Sequence, residues 1–104
     1  MIAVIFEVVL KTEGLDEYFD IAAELKNTLG SIDGFISVER YQSLNNNGKF
    51  LSLSFWQDEE SIKVWKNQTA HRQAQQYGRE HLFEHYQLYV ANVVRCYDMK
   101  GRSS

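Results

Sequence analysis

Four runs of strand-forming residues, separated by stretches of helical spacing, decide most of what this chain can become. Ile2 to Leu10 is mostly apolar, rich in β-branched residues and too short for a helix of its own, so it reads as a buried strand. Phe35 to Gln42 and Phe50 to Trp56 are two more, joined through Ser43 to Lys49, where Asn45-Asn46-Asn47-Gly48 tolerates positive φ and predicts a hairpin. Gln87 to Tyr97 alternates again, with Leu88, Val90, Asn92, Val94 and Cys96 on one face and Tyr89, Ala91, Val93, Arg95 and Tyr97 on the other. Both faces of these strands carry bulk. On the third, Leu51, Leu53 and Phe55 point one way while Phe50, Ser52, Ser54 and Trp56 point the other.

The intervening segments follow a helical period. Lys11 to Gly14 breaks the first strand, and Leu15, Tyr18, Phe19, Ala22, Leu25 and Leu29 then recur along one stripe, with Asp16 and Glu17 near the positive end of the helix dipole and Gly30 as the closing cap. Asp58 is a suitable N-cap for a short helix containing Ile62, Val64 and Trp65; Thr69 starts a second segment carrying Ala70, Ala74, Tyr77 and Gly78, with the break near Asn67 and Gln68. The order strand, helix, strand, strand, helix, strand is the split βαβ pattern of an α+β, ferredoxin-like fold: an antiparallel sheet with its helices on one face. Nothing in such a monomer covers the second face. Strands apolar on both sides therefore predict that another copy does, giving a face-to-face homodimer.

Composition narrows the partners. With 104 residues, 44% of them hydrophobic and 13% aromatic, the chain suits one folded domain, and a net charge of -3 supplies no general attraction to nucleic acid or an anionic membrane, so neither is expected as a partner. Cys96 is the only cysteine and cannot form an internal disulfide; with no basic segment ahead of a long apolar run at the start, a cytoplasmic location is the expectation. There is no Pro and no Gly/Ser-rich linker, so residues 1–98 read as a single domain and 99–104 as a flexible tail.

Aromatic and imidazole groups concentrate between Phe55 and Tyr97: Trp56, Trp65, His71, then Gln75 and Gly78-Arg79. Such a cluster can wall a pocket, and equally can fill a core. Together with Gly34-Phe35, Phe55-Trp56, the acidic run Asp58-Glu59-Glu60 and a last strand ending near Tyr97, it resembles the antibiotic biosynthesis monooxygenase family over nearly the whole chain. The resemblance implies a dimeric α+β barrel with a pocket between sheet and helices in each subunit. Members of the family include oxygenases of polycyclic phenols and quinols that need no cofactor, and haem-degrading monooxygenases.

The haem-degrading branch typically has an asparagine on the first strand, a tryptophan in the second helical region and a histidine ten residues later. Trp65 matches the tryptophan, but Gln75 stands where the histidine would be and Glu7 or an apolar neighbour where the asparagine would be, leaving His71 as a displaced ligand in the alternative haem reading. The preferred expectation is therefore a cofactor-independent monooxygenase of a small phenolic or quinol-type aromatic, with no metal. Activating dioxygen without a metal requires a substrate that gives up an electron as an anion, hence a base and a dry aromatic pocket. His71 is the first candidate base and Glu7 the second; Trp65, Trp56, Tyr41, Phe83 and Tyr86 are candidate walls.

Structural roles compete with each of these. Trp65 can simply pack, His71 can sit at a helix start, and Glu7 can pair with Arg40 or Arg95. His81 and His85 lie in a charged segment with Arg79 and Glu84 and suit solvent, whereas Gly78 inside a helix points to a close approach by another element. A binding dimer without catalysis is the third functional class, since this fold by itself implies no activity.

Overall fold

The computed structural model describes residues 1–100. Its sheet has four strands, β1 (Ile2–Leu10), β2 (Phe35–Gln42), β3 (Lys49–Trp56) and β4 (Phe83–Asn92), in the order β2-β3-β1-β4 with every neighbour antiparallel. Helix α1 (Leu15–Leu29) follows β1 after a single 3-10 turn, and α2 (Glu59–Lys66) and α3 (Thr69–Tyr77) lie between β3 and β4. This is the ferredoxin-like arrangement expected from the order of elements.

Local chemistry explains the joints. Asp58 caps α2: its Oδ1 accepts the Ser61 backbone N–H at 2.9 Å and the Ser61 hydroxyl at 2.7 Å. α2 ends at Asn67 and α3 starts after Gln68, where the chain turns extended, so the expected break is present. Ahead of α2, Gly34 has φ +92, and a Cβ there would lie 1.8 Å from Ser61 Oγ, so glycine is required by both conformation and space. The Gly34 carbonyl also accepts the Gln57 backbone N–H at 2.7 Å, tying the entry of β2 to the exit of β3.

One expectation is corrected, and two are met with a different backbone. The last strand spans Phe83–Asn92 rather than Gln87 to Tyr97, because its partner is β1: Phe83 faces Leu10 and Asn92 faces Ile2, the first residue of β1. The hairpin forms, but without positive φ in Asn45-Asn46-Asn47-Gly48. The Ser43 hydroxyl accepts from the Asn45 and Asn46 N–H groups at 3.2 Å, and Asn46 Oδ1 accepts from the Gly48 N–H at 3.1 Å, so side chains stand in for left-handed backbone. Gly30 does close α1, but at φ -62, in the right-handed region. Of the expected tail, residues 101–104 lie outside the described residues.

All helices pack on the sheet face that carries the even-numbered residues of β1, β3 and β4. There the core divides in two. Ile2, Leu29, Ile32, Trp56 and Trp65 bury one end, and Val8, Leu10, Tyr18, Phe50 and Leu82 bury the other. Val4 and Phe6 of β1 lie between the two clusters, and β3 places only Ser52 and Ser54 between Phe50 and Trp56. Small side chains at the middle of the sheet leave that volume unfilled. No helix among the described residues is long and apolar enough to cross a membrane.

Candidate active site

The unfilled volume is a cavity of about 220 Å³ between sheet and helices. Its floor is the sheet, with Val4, Phe6, Val38, Arg40, Ser52 and Ser54; α1 supplies one wall, and α2 and α3 form the roof with Trp65, His71 and Ala74. At the far end, the chain between α3 and β4 makes a five-residue π-helical turn, Gly78–Leu82. Gly78 is buried against Phe83 so closely that a Cβ would meet the ring at 2.4 Å, which accounts for a helix-weakening glycine at this position. The Tyr77 hydroxyl donates to the Glu17 carboxylate and links α3 to α1 across the outside of the wall.

His71 is set by the break between α2 and α3. The short link at Asn67-Gln68 folds α3 back so that the imidazole lies on Trp65, ring centroids 4.5 Å apart. Burial holds His71 below the ordinary histidine value, opposed by a hydrogen bond to the Lys66 backbone and reinforced by the charge of the Lys66 ammonium. The ring is consequently neutral at pH 7. Its Nδ1 is buried and makes no hydrogen bond within the protein, in a residue that lines the cavity.

The sequence candidates separate by sheet face. His71, Trp65, Trp56 and Phe83 all line the cavity. Trp56 is only 1% exposed, and its Nε1–H donates to Ser54 Oγ at 2.9 Å; Trp65 is 9% exposed, so both tryptophans serve as core and as wall. Tyr86 stands behind the wall, with its ring 5.8 Å from Phe6 and 5.9 Å from Phe83. Glu7 and Tyr41 lie on the opposite face. Glu7 is 4.0 Å from Lys49, the cation that takes the place expected for Arg40 or Arg95, and the Tyr41 hydroxyl donates to Glu39 beside it on the same strand. The cavity is built without them. His81 is exposed and stacks on Tyr77, His85 is exposed on β4, and no group of three metal-ligating side chains occurs among the described residues.

Two residues that sequence reasoning left unassigned are central. Arg40 projects from β2 to the cavity floor, where its guanidinium lies beside the Tyr18 hydroxyl and its Nε is buried without a partner. Burial pushes the Tyr18 hydroxyl up, against the pull of that cation. The signal for Arg40 was the hairpin register, since it pairs with Ser52 and so shares the face on which β3 has its small residues; that for Tyr18 was its place on the apolar stripe of α1.

A sequence model of the antibiotic biosynthesis monooxygenase family matches residues 1–77. The chain is 45% identical over 94 residues to the jasmonate monooxygenase ABM of Pyricularia oryzae, a match that covers 90% of this chain and 44% of that protein. This chain thus spans less than half the length of that relative. It is 31% identical over 93 residues to the uncharacterized protein YqjZ of Bacillus subtilis, covering 89% of this chain and 79% of the other. Among solved structures, a conserved protein from Methanosarcina mazei Go1 superposes with a TM-score of 0.80 at 21% identity, covering 88% of this chain and 90% of that one, a likeness of fold.

Proposed function

This chain belongs to the antibiotic biosynthesis monooxygenase family, and from that premise we propose that the cavity is the site of a cofactor-independent monooxygenase reaction on a small ring-bearing molecule of the phenolic or quinol type. The observation that carries the reading is the buried, unpartnered Nδ1 of a neutral His71 in the wall of a largely aliphatic and aromatic cavity. A basic nitrogen there has one chemical use that packing does not explain: accepting a proton from a bound ligand.

The reaction balances without an external reductant if the substrate supplies the electrons. His71 Nδ1 takes the hydroxyl proton of the enol form of a ring CH₂–C=O unit, in which the CH₂ carbon has become =CH–, and the resulting enolate gives one electron to dioxygen. Recombination forms a C–O bond at that carbon, and the proton returned by the imidazole makes a hydroperoxide. Loss of water then breaks the O–O bond and leaves C=O where CH₂ stood. One oxygen atom enters the product and the other leaves as water. Trp65 and Phe83 would hold the ring and keep bulk water from the anion.

Haem fits this cavity poorly. An apolar cavity of about 150 Å³ holds a single benzene ring, and 220 Å³ leaves no room for a four-ring macrocycle. Gln75, which also lines the cavity, offers no imidazole at the position the haem branch uses. A second substrate reading, a jasmonate-type molecule, is favoured by the 45% identity to a protein carrying that name.

Oxygen uptake by the purified chain across hydroquinones, anthrones and jasmonate tests the proposal. Uptake above the uncatalysed rate is expected with at least one of them, falling by about a hundredfold or more in His71→Gln, the usual contribution of a general base. No uptake with any of them, or full activity in His71→Gln, overturns it. We also propose that a second copy of the chain covers the open sheet face.

A further inference from the structure

We propose that the cavity selects an anion: its ligand is a small apolar molecule carrying one carboxylate, and Arg40 is the residue that holds that carboxylate. This rests on reading the cavity as the substrate site and adds the polar group by which the substrate is recognised.

Charge is unbalanced in the cavity. The side chains lining it include two cations, Arg40 and Lys66, and no carboxylate at all. Lys66 is exposed at the rim, whereas Arg40 is on the floor with a buried Nε that bonds to nothing. A guanidinium stays protonated at any ordinary pH, and a partly buried one whose Nε–H is shut away without an acceptor is costly to keep. The chain supplies no counter-ion: Arg40 has no ion-pair partner among the described residues. Glu39, its neighbour in sequence, alternates to the other face and receives the Tyr41 hydroxyl. Only the neutral Tyr18 hydroxyl lies beside the guanidinium. The missing negative charge is therefore one that enters with the ligand.

Geometry and size favour a carboxylate. The Nε–H and one terminal N–H of a guanidinium form a flat edge that matches the two oxygens of a carboxylate, and here the Nε–H makes no hydrogen bond within the protein. A phosphate would bring more charge than one guanidinium balances. An unactivated phenol is neutral at pH 7 and would leave the cation unpaired. Arg40 lies on the sheet floor and His71 in the helical roof, so a carboxylate fixed at Arg40 directs the remainder of the ligand toward the imidazole and the aromatic walls.

The test is a titration of the full chain with 4-phenylbutanoate and cyclopentylacetate and with their matched alcohols, followed by calorimetry and by the fluorescence of Trp56 and Trp65. The carboxylates are expected to bind at least about tenfold more tightly than the alcohols, as for a desolvated charge pair. Arg40→Gln should abolish that preference, and Arg40→Lys should retain part of it. Equal binding of acid and alcohol by the wild type overturns the proposal, as does a preference that survives in Arg40→Gln or that disappears in Lys66→Gln instead. Should Arg40→Gln fail to fold, the acid-to-alcohol ratio of the wild type and the Lys66→Gln control decide alone. Binding of 4-nitrophenol as its coloured anion, with the carboxylates weaker, would make the site a phenolate site and also overturns it. Carboxylate binding through Arg40 without oxygen uptake leaves this inference standing and removes the oxygenase reading. Uptake on neutral quinols with no preference for acids does the reverse.

Discussion

Two side chains share the cavity and solve opposite problems. Arg40 brings a guanidinium to the cavity floor with its Nε buried, while His71 gives its charge up: with a folded-state value below the ordinary one, the unfolded chain binds more protons at that position as the pH falls. Stability contributed by neutral His71 is therefore fully present above about pH 6.5, the unfolded histidine value, and is lost as the pH drops toward the lower folded value. Thermal melts of wild type and His71→Gln between pH 8 and pH 5, pH values bracketing the ordinary histidine range of about 6.5, should show the wild type losing more stability on acidification than the variant; parallel curves would remove the buried neutral imidazole. The two helix-end glycines make a matched pair at the same scale. Gly78→Ala forces a Cβ to within 2.4 Å of the Phe83 ring, and overpacking of that kind typically destabilises by about 1–3 kcal/mol. Gly30 has right-handed backbone, and an added methyl there would meet nothing within 4 Å, so Gly30→Ala should stabilise by about 0.4–1 kcal/mol through the unfolded chain. Urea denaturation of the two variants checks the signs, and two changes of the same sign would contradict this account.

Elements were legible in the sequence wherever a signal was local. Asp58 is an example: the residue that reads as an N-cap holds Ser61 through both its backbone N–H and its hydroxyl, and those bonds hold the Asp58 carboxyl below its usual range. Asp58→Ala should lower the melting temperature by a few degrees whereas Asp58→Asn, which keeps an acceptor oxygen, should lower it less; the cap's contribution weakens as the pH falls through the depressed carboxyl value. Equal melting of Asp58→Ala and wild type would count against the cap. What the sequence hid was set by partners at a distance. The ends of β4 follow from the span of β1 with which it pairs, not from the alternation in Val93 to Tyr97, which continues past the last pair with β1. The sheet face of Glu7 was hidden for a related reason. Because both faces of β1 carry bulk, alternation alone does not say which one the helices cover, and Glu7 and Tyr41 turned out to share the face without helices while Arg40 took the other. Trp65, His71 and Phe83 reached the cavity because they belong to the helical region and its exit, where the apolar stripe has one side to face.

At the scale of the whole molecule, the sheet has one face carrying the cavity floor and one face without cover, and β1 contributes to both. Phe6 and Val4 face the cavity, while Ile5 lies between Leu53 and Tyr89 on the open side, by the register of β1 with β3 and β4. An apolar row in the middle of an exposed sheet is a surface that association would remove from water. A stable pair takes roughly 800 Å² from each partner, about a tenth of the 7317 Å² that this chain presents. If a second copy covers this face, as we propose, wild type elutes as a dimer at micromolar concentration and its melting temperature rises with protein concentration, because association stabilises the folded state by mass action. Ile5→Asp and Leu53→Asp place unpaired carboxylates in the row and should each give a folded monomer whose melting no longer depends on concentration. The helices stay on their own face in these variants, so circular dichroism should keep its native form. A wild-type monomer with concentration-independent melting would mean that the bulk on this face serves the sheet alone, with Ile5, Leu53 and Tyr89 stabilising one another across the strands rather than waiting for a partner.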